Sequence, residues 1–311
     1  MIATLTLNPS LDKTVAVKGM VVGDVNRWKS YRRDPGGKGI NVSRALHNLG
    51  YDTVAYGFVG GHDGRILEDL LRAEGVRYDF TPTANEIRSN FIITDLKTGA
   101  QTRLNGPGPV IGKQELEQLR QKIRGIEPAP RFLVLAGSVP PRVPTDIYAQ
   151  IIQEAKARGI RTALDSDEEW LRLGLQAKPD FIKPNLRETE GLLGIRLTSE
   201  GDIVEALRRL LAMGIHMAAI SMGREGLIAA RGDQMVKAIP PQVPVRSTVG
   251  AGDSAVAGFL ISMMESKPLA EACRLACAAG AATVLTPGNQ MCLLEDVQEL
   301  LPLVRVEEIA P

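Results

Sequence analysis

Thr248-Val249-Gly250-Ala251-Gly252-Asp253-Ser254 runs directly into the apolar stretch Ala255 to Met264. Two glycines let a backbone curl with its N–H groups turned outward, and the positive end of a following helix strengthens that field, so the junction is a candidate oxyanion or phosphate hole. Asp253 stands in the same turn. A carboxylate beside a bound phosphate is repelled unless it does chemistry or meets a divalent cation, which makes a general base its natural role. An N-capping aspartate in a glycine turn is the alternative that this segment, taken alone, leaves open. The same letters satisfy a loose GxGxxA dinucleotide fingerprint from Gly250 to Ala255, but that fingerprint belongs after the first strand of a βαβ unit. Here it follows the proline-interrupted Ile239-Pro240-Pro241-Gln242-Val243-Pro244.

Working outward from this turn, strand-like runs alternate with helical ones, the pattern of a mostly parallel sheet flanked by helices in an α/β fold. Strands are predicted at Ala3 to Leu7, Thr53 to Phe58, Phe132 to Ala136, Arg161 to Leu164, Phe181 to Lys183 and Met217 to Ser221. Helices are predicted at Asn41 to Asn48, Gly64 to Ala73, Gln114 to Arg124, Thr145 to Arg158 and Ile203 to Met213, several ending at a glycine. Two stretches, 13–32 and 88–104, offer strands without an intervening helix and predict a small β sheet projecting from the body. Such an outgrowth cannot bury both faces alone, so it is expected to cover a ligand or pair with a second copy. With no internal repeat and no low-complexity linker, residues 1–311 are expected to form one domain with this lid inserted in it.

Composition narrows the function. The 311 residues carry 37 Lys+Arg against 36 Asp+Glu, and aromatic residues are 4%. Neither charge for a phosphate backbone nor rings for base stacking is abundant, which argues against nucleic-acid binding. The longest apolar run, Ala255 to Met264, is far shorter than the roughly 20 residues of a spanning helix, so no membrane crossing is expected. The alternating N-terminus lacks a basic start and a cleavage site, and a cytoplasmic location is expected. Three cysteines suit reduced thiols better than a disulfide framework, although Cys273 and Cys277 could pair on a metal. The three histidines lack zinc-hydrolase spacing.

Other polar clusters gather on the predicted carboxyl edge, where open α/β sheets bind ligands. Gly36-Gly37-Lys38-Gly39-Ile40-Asn41 opens the first helix and converges backbone amides, an amide side chain and an ammonium group; it is not a Walker A loop, because Lys38 precedes glycine. Asp12 is expected at the end of the first strand, either binding sugar hydroxyls or capping a turn. Gly137-Ser138-Val139-Pro140, Lys183-Pro184-Asn185-Leu186-Arg187-Glu188 and Ser221-Met222-Gly223-Arg224-Glu225-Gly226 each follow a predicted strand.

Taken together, these segments resemble the ribokinase-like, phosphofructokinase B family of carbohydrate kinases, in order from Thr4 to about Val297; GGKGIN with STVGAGDS is a specific pair. The resemblance implies a three-layer ribokinase-like fold with a β lid, transfer of the ATP γ-phosphoryl group to a sugar hydroxyl, and a Mg²⁺ requirement. By the same likeness, Asp253 is the base and Gly250, Ala251 and Gly252 form the anion hole. Asn185 and Glu188 correspond to an NxxE element that organises Mg²⁺, through water. Lys183, Ser221, Gly223, Gly226 and Thr248 resemble nucleotide contacts, and Asp12, Gly36, Gly37, Lys38, Asn41 and Ser138 sugar contacts.

NPSLD, the Gly106-Pro107-Gly108 turn, KPN and STVGAGDS are more similar to the subgroup whose acceptor already carries a phosphate, namely fructose 1-phosphate, fructose 6-phosphate or tagatose 6-phosphate kinases. Arg88 leads a lid strand, where its planar fork suits that phosphate, and Arg27 and Arg103 are expected to join it. Asn26-Arg27 and Leu104-Asn105-Gly106-Pro107 resemble fructose 1-phosphate kinases, and Thr286 to Cys292 the 6-phosphate enzymes; fructose 1-phosphate is placed first. An acceptor without phosphate, or a non-catalytic nucleotide-responsive binding protein, are the rivals. A homodimer through the lid is expected. The sequence departs from the subgroup at Asp165-Ser166-Asp167-Glu168-Glu169, where a small pair such as Ser-Gly usually follows the first aspartate.

Overall fold

The computed structural model describes residues 1–309, the side chain of Glu168 apart. In chain order the elements are β1 (Ile2–Thr6), β2 (Ser10–Val17), β3 (Trp28–Gly36), α1 (Lys38–Asn48), β4 (Thr53–Val59), α2 (Gly61–Ala73), β5 (Tyr78–Pro82), β6 (Arg88–Asp95), β7 (Gln101–Asn105) and α3 (Lys113–Arg124). There follow β8 (Phe132–Ala136), α4 (Ile147–Ala157), β9 (Arg161–Asp165), α5 (Glu168–Gly174), β10 (Phe181–Ile182), α6 (Leu186–Leu193), α7 (Glu200–Ala212) and β11 (Met217–Ser221). The last are β12 (Leu227–Arg231), β13 (Gln234–Ile239), α8 (Ala251–Met264), α9 (Leu269–Val284), α10 (Leu294–Leu300) and β14 (Arg305–Ile309).

A ten-stranded sheet runs β14-β13-β12-β11-β10-β9-β8-β1-β4-β5. From β11 to β5 every pairing is parallel, and β12, β13 and β14 extend the other edge antiparallel. Strands covered on both faces need apolar residues at every position, and β8 shows why. Phe132, Val134 and Ala136 enter the core beneath α1, α8 and α9, whereas Leu133 and Leu135 enter the core beneath α3, α4 and α7. Helix α8 is buried along nearly its whole length, and at Gly258 a side chain would press into the α9 backbone at Ala276, 2.7 Å from its Cα.

The predicted parallel strands are all present, with Phe181 to Lys183 shortened to Phe181–Ile182. Helices α1, α2 and α7 each begin three residues before their predicted starts; the added residues of α2 and α7 are glycine or polar, and α1 opens on Lys38-Gly39 before Ile40. Helix α4 instead begins at Ile147, two residues after the predicted start. Strands β5, β12, β13 and β14 were not anticipated. The strands of the small sheet lie in the order β3-β2-β6-β7, with β2 and β6 parallel. They reach further toward the body than 13–32 and 88–104 suggest, β2 starting at Ser10 and β3 ending at Gly36. This corrects the expected place of Asp12, which lies on the lid strand β2 opposite Asp34 and Asn90 rather than at the end of β1. Among the described residues, no helix is long and apolar enough to cross a membrane.

Candidate active site

The turn before α8 takes the form its glycines require. Gly250 has φ 81° in the left-handed region, and a side chain there would strike Met291. The first helical bond is donated by Ser254 N to Gly250 O at 2.9 Å, so the amides of Ala251, Gly252 and Asp253 have no partner within the helix and aim at whatever anion lies before it. Lys183 faces this turn, with its Nζ 3.4 Å from the position a Gly252 Cβ would occupy.

Asp253 is buried in the first turn of α8, and its Oδ2 accepts from Asn41 Nδ2 at 2.8 Å. Burial, then the nearby Asp165 carboxylate, push its pKa up to about 6, against the opposing pull of Asn41, Lys38 and Lys183. Asn41 is fixed in turn, because its Oδ1 accepts from Arg44 Nη1 at 3.3 Å. Arg44 also donates to the carbonyls of Pro35 and Asn289 and pairs with Glu74. The amide thus presents its N–H to the carboxylate and leaves Asp253 Oδ1 for another donor.

Asp165, at the carboxyl end of β9, holds both lysines: Lys38 Nζ lies 3.2 Å from Oδ1, and Lys183 Nζ 3.8 Å from Oδ2. Burial would raise the Asp165 pKa, but the two ammonium groups outweigh it and hold it below the usual carboxylate range. Burial likewise opposes the charge on Lys38, yet Asp165, Glu188, Asp167 and Asp253 together raise its pKa. Both cations are therefore carried, already paired, to the mouth of the anion turn.

The predicted sugar contacts assemble beside this cluster. Asp12 Oδ1 accepts from Ser10 Oγ at 2.8 Å and Asn90 Nδ2 at 2.9 Å, while Oδ2 accepts from Asn289 Nδ2 at 2.9 Å. Burial, only partly offset by these bonds, raises its pKa. Gly36 must lack a side chain because a Cβ would lie 2.5 Å from Asp12 Oδ1. Gly37 has φ 120° at the entry to α1. Ser138 Oγ accepts from Asn8 Nδ2 at 3.1 Å, and the same amide donates to Pro107 O at 3.1 Å. Arg88 leads β6 and donates to the carbonyls of Asn8 and Gly106, each at 3.2 Å. It is partly buried without a carboxylate in salt-bridge contact among the described residues, and that burial lowers its pKa, only partly countered by Asp12 and Asp167. Such a cation lacks a counter-ion.

The predicted nucleotide contacts follow β10 and β11. Asn185 and Glu188 form a reciprocal cap on α6, with both side chain to backbone bonds 2.9 Å, and Asn185 bridges to Ser221. Gly223 has φ 61°; Gly226 has φ 92° and faces the Ala238 carbonyl so closely that no side chain fits. Among the described residues no three His, Cys, Asp or Glu are placed to hold a metal directly. Mg²⁺ characteristically keeps several waters and takes one or two carboxylates plus substrate phosphates, and Glu188, 3.7 Å from Lys38 Nζ, fits that donor set.

The other two predicted lid arginines are placed differently. Arg27 is exposed in the connection before β3 and makes no side-chain hydrogen bond among the described residues. Arg103, on the edge strand β7, donates to Thr248 Oγ1 at 3.3 Å and so reaches the anion turn. Sequence reasoning missed Asn8, Arg44, Asp165 and Asn289. Asn8 lies within the NPSLD segment, Asp165 directly follows a predicted strand and Asn289 lies within Thr286 to Cys292, which are usable signals; Arg44 carries none, since Glu74 and the Asn289 carbonyl that fix it are distant in sequence.

The pfkB family carbohydrate kinase model matches residues 5–296. The chain is 36% identical over 309 residues to the 1-phosphofructokinase of Bacillus subtilis, covering 99% of this chain and 100% of that protein. It is 33% identical over 270 residues to the tagatose-6-phosphate kinase of Staphylococcus epidermidis, covering 86% of each. The structure of Escherichia coli phosphofructokinase-2 in complex with substrates and products superposes with a TM-score of 0.93 at 32% identity, covering 97% of this chain and 98% of that one. An open anion turn with a buried carboxylate, on a fold shared with these enzymes along almost its full length, places this chain in the pfkB family of carbohydrate kinases.

Proposed function

We propose that the protein transfers the γ-phosphoryl group of ATP to a ketohexose monophosphate, giving a bisphosphate and ADP, with fructose 1-phosphate ahead of fructose 6-phosphate and tagatose 6-phosphate. The observation that carries this is a proton-accepting carboxylate, Asp253, in the first turn of a helix whose free amides face the same space. Asp253 Oδ1 takes the proton of the acceptor hydroxyl as that oxygen bonds to phosphorus and the bond to the ADP oxygen breaks. The amides of Ala251 and Gly252, with Lys38 and Lys183, stabilise charge on the migrating group, the main requirement of phosphoryl transfer. Mg²⁺, when bound with the nucleotide near Glu188 and Asn185, supplies further neutralisation of phosphate charge. Ser221, Gly223 and Gly226 line the nucleotide side, and Asp12, Gly36, Gly37, Asn41 and Ser138 the sugar side.

Arg88 supports a phosphorylated acceptor, because a partly buried guanidinium bonded only to carbonyls retains charge for an anion. The 1-phosphofructokinase relative supports placing fructose 1-phosphate first. Coupled-assay turnover across the three sugar phosphates and free fructose tests the reading: turnover of the phosphorylated acceptors supports it, and phosphorylation of fructose alone, or of none, overturns it. The exposed Val22, Trp28, Tyr31, Phe91 and Leu104 of the lid further support a homodimer in which lids from two copies cover one another.

A further inference from the structure

Asn289 lies in the turn after α9, behind Gly288 at φ 65°, and is fully buried. Its Nδ2 donates to Asp12 Oδ2 and to the carbonyl of Pro35, each at 2.9 Å. Both partners are acceptors, so only the NH2 end of the amide can face them. The other end is left over: Oδ1 is buried without a hydrogen-bond partner among the described residues. An orphaned acceptor costs free energy that an apolar side chain of similar shape would avoid, so the amide is present for the two bonds it donates. The turn does not depend on that side chain. Thr286 Oγ1 closes it by donating to Gln290 O at 2.7 Å, and Arg44 Nη1 holds the main-chain carbonyl of Asn289 at 2.7 Å.

An ionised carboxylate has about four acceptor sites. Ser10 and Asn90 take those of Asp12 Oδ1, and Asn289 takes one on Oδ2, which leaves one Oδ2 site open. Hydrogen bonds run from this carboxylate to both ends of the cleft. Asn90 Oδ1 accepts from Gly106 N at 3.3 Å, and Gly106 O in turn holds Arg88. On the other side, Pro35 O is shared by Asn289 and Arg44, and Arg44 fixes the Asn41 that bonds Asp253. Ser10 and Asn90 stand on the lid strands β2 and β6, as Asp12 itself does. Asn289 is the donor to Asp12 that comes from the body.

We propose that Asn289 is a positioning residue for the acceptor: from the body of the protein it turns Asp12 so that the remaining Oδ2 site accepts from one sugar hydroxyl. This rests on the acceptor class proposed above. Held by the lid alone, the carboxylate would take its place from β2; held also by Asn289, it keeps the bound hydroxyl in register with Asp253.

The test compares the wild type with Asn289→Ala, Asp12→Ala and the double variant, by turnover and by calorimetric Kd for fructose 1-phosphate, fructose 6-phosphate and tagatose 6-phosphate. Loss of a bond to a charged group is expected to raise the acceptor KM and Kd of Asn289→Ala by roughly tenfold, with the ATP Kd within about twofold. The main-chain carbonyl that Arg44 holds survives the truncation, so Asn41 and Asp253 keep their places and kcat should stay within about threefold. Read as kcat/KM for the acceptor, which is measurable without saturation, the cycle should be strongly non-additive. Once Asp12 is alanine, removing the Asn289 side chain should cost less than about twofold more. A purely structural role predicts equal losses for acceptor and ATP and additive effects; either result, or an unchanged acceptor Kd, overturns the proposal. A wild type that binds none of the three sugar phosphates overturns the acceptor reading and this proposal together, whereas binding that Asn289→Ala leaves intact overturns this proposal alone. Binding without turnover would sink the kinase reading and leave the Kd comparison to decide the role of Asn289. Asn289→Ser, whose single hydroxyl can serve only one of the two acceptors, carries the same comparison if the alanine variant fails to fold.

Discussion

Asp253 is charged at neutral pH in a place that penalises charge. A pKa pushed up to about 6 means that the base form is lost as pH falls, so kcat/KM is expected to drop on the acid side with a midpoint near pH 6. Asp253→Asn should lower kcat by about two to four orders of magnitude, with ATP affinity, measured by calorimetry, nearly unchanged. The stability sign is opposite. A carboxyl whose folded pKa is raised above its unfolded value contributes stability at low pH that is lost as pH rises through the folded value. The Asn variant should therefore melt higher than wild type at pH 8 and show little gain at pH 4; a lower melting temperature at pH 8 would contradict the burial argument. Asp165→Asn removes the like charge from Asp253 and the anchor from both lysines. Its pH profile of kcat/KM should shift its acid limb to lower pH while the plateau falls. Arg88→Ala is expected to raise KM for the phosphorylated acceptor by tenfold or more and to leave KM for ATP near the wild-type value; equal losses for both substrates would remove Arg88 as the phosphate anchor.

The elements matter because they carry these residues to one edge. Strands β9 and β11 end at Asp165 and Ser221, β8 and β10 lead directly into Gly137 and Lys183, and the parallel pairing brings those ends side by side. Helix α8 holds the anion turn, and its depth is set by contact with α9 at Gly258. Gly258→Ala places a methyl group against the Ala276 backbone, and overpacking there should cost roughly 1–3 kcal/mol. Urea unfolding should show a lower midpoint with an unchanged m-value. Because the push is transmitted along α8 to Asp253, kcat should fall more than either KM rises. The lid strands have their own link to this helix in the bond from Arg103 to Thr248.

At the scale of the molecule, the body folds around two apolar layers on either side of the sheet, whereas the lid has one face without cover. If a second copy supplies that cover, Val22→Glu combined with Trp28→Glu should convert a dimer into a monomer in size-exclusion light scattering. The lid would then close less firmly and ATP hydrolysis without acceptor should rise. A wild-type monomer at micromolar concentration would overturn the lid-mediated dimer.

Much of this protein was legible along the chain. Alternating apolar runs marked the parallel strands, and Gly36-Gly37-Lys38 and Gly250-Ala251-Gly252-Asp253 marked two helix starts, because periodicity and glycine conformation are local properties. The antiparallel edge was hidden by its short segments and by the prolines after Ile239, and Asp12 was misplaced because a strand begins at Ser10, only four residues after β1 ends. The sequence by itself determined the fold class and the glycine turn that opens α8 with Asp253 in it. Only the tertiary structure decided what charges that turn feels: Asp165 between two lysines, Arg44 steering Asn41 onto Asp253, and Asn289 bonded to Asp12 across 277 positions. Pairings between single side chains so far apart leave no period in the sequence, and they exist only once the sheet has brought its strand ends together.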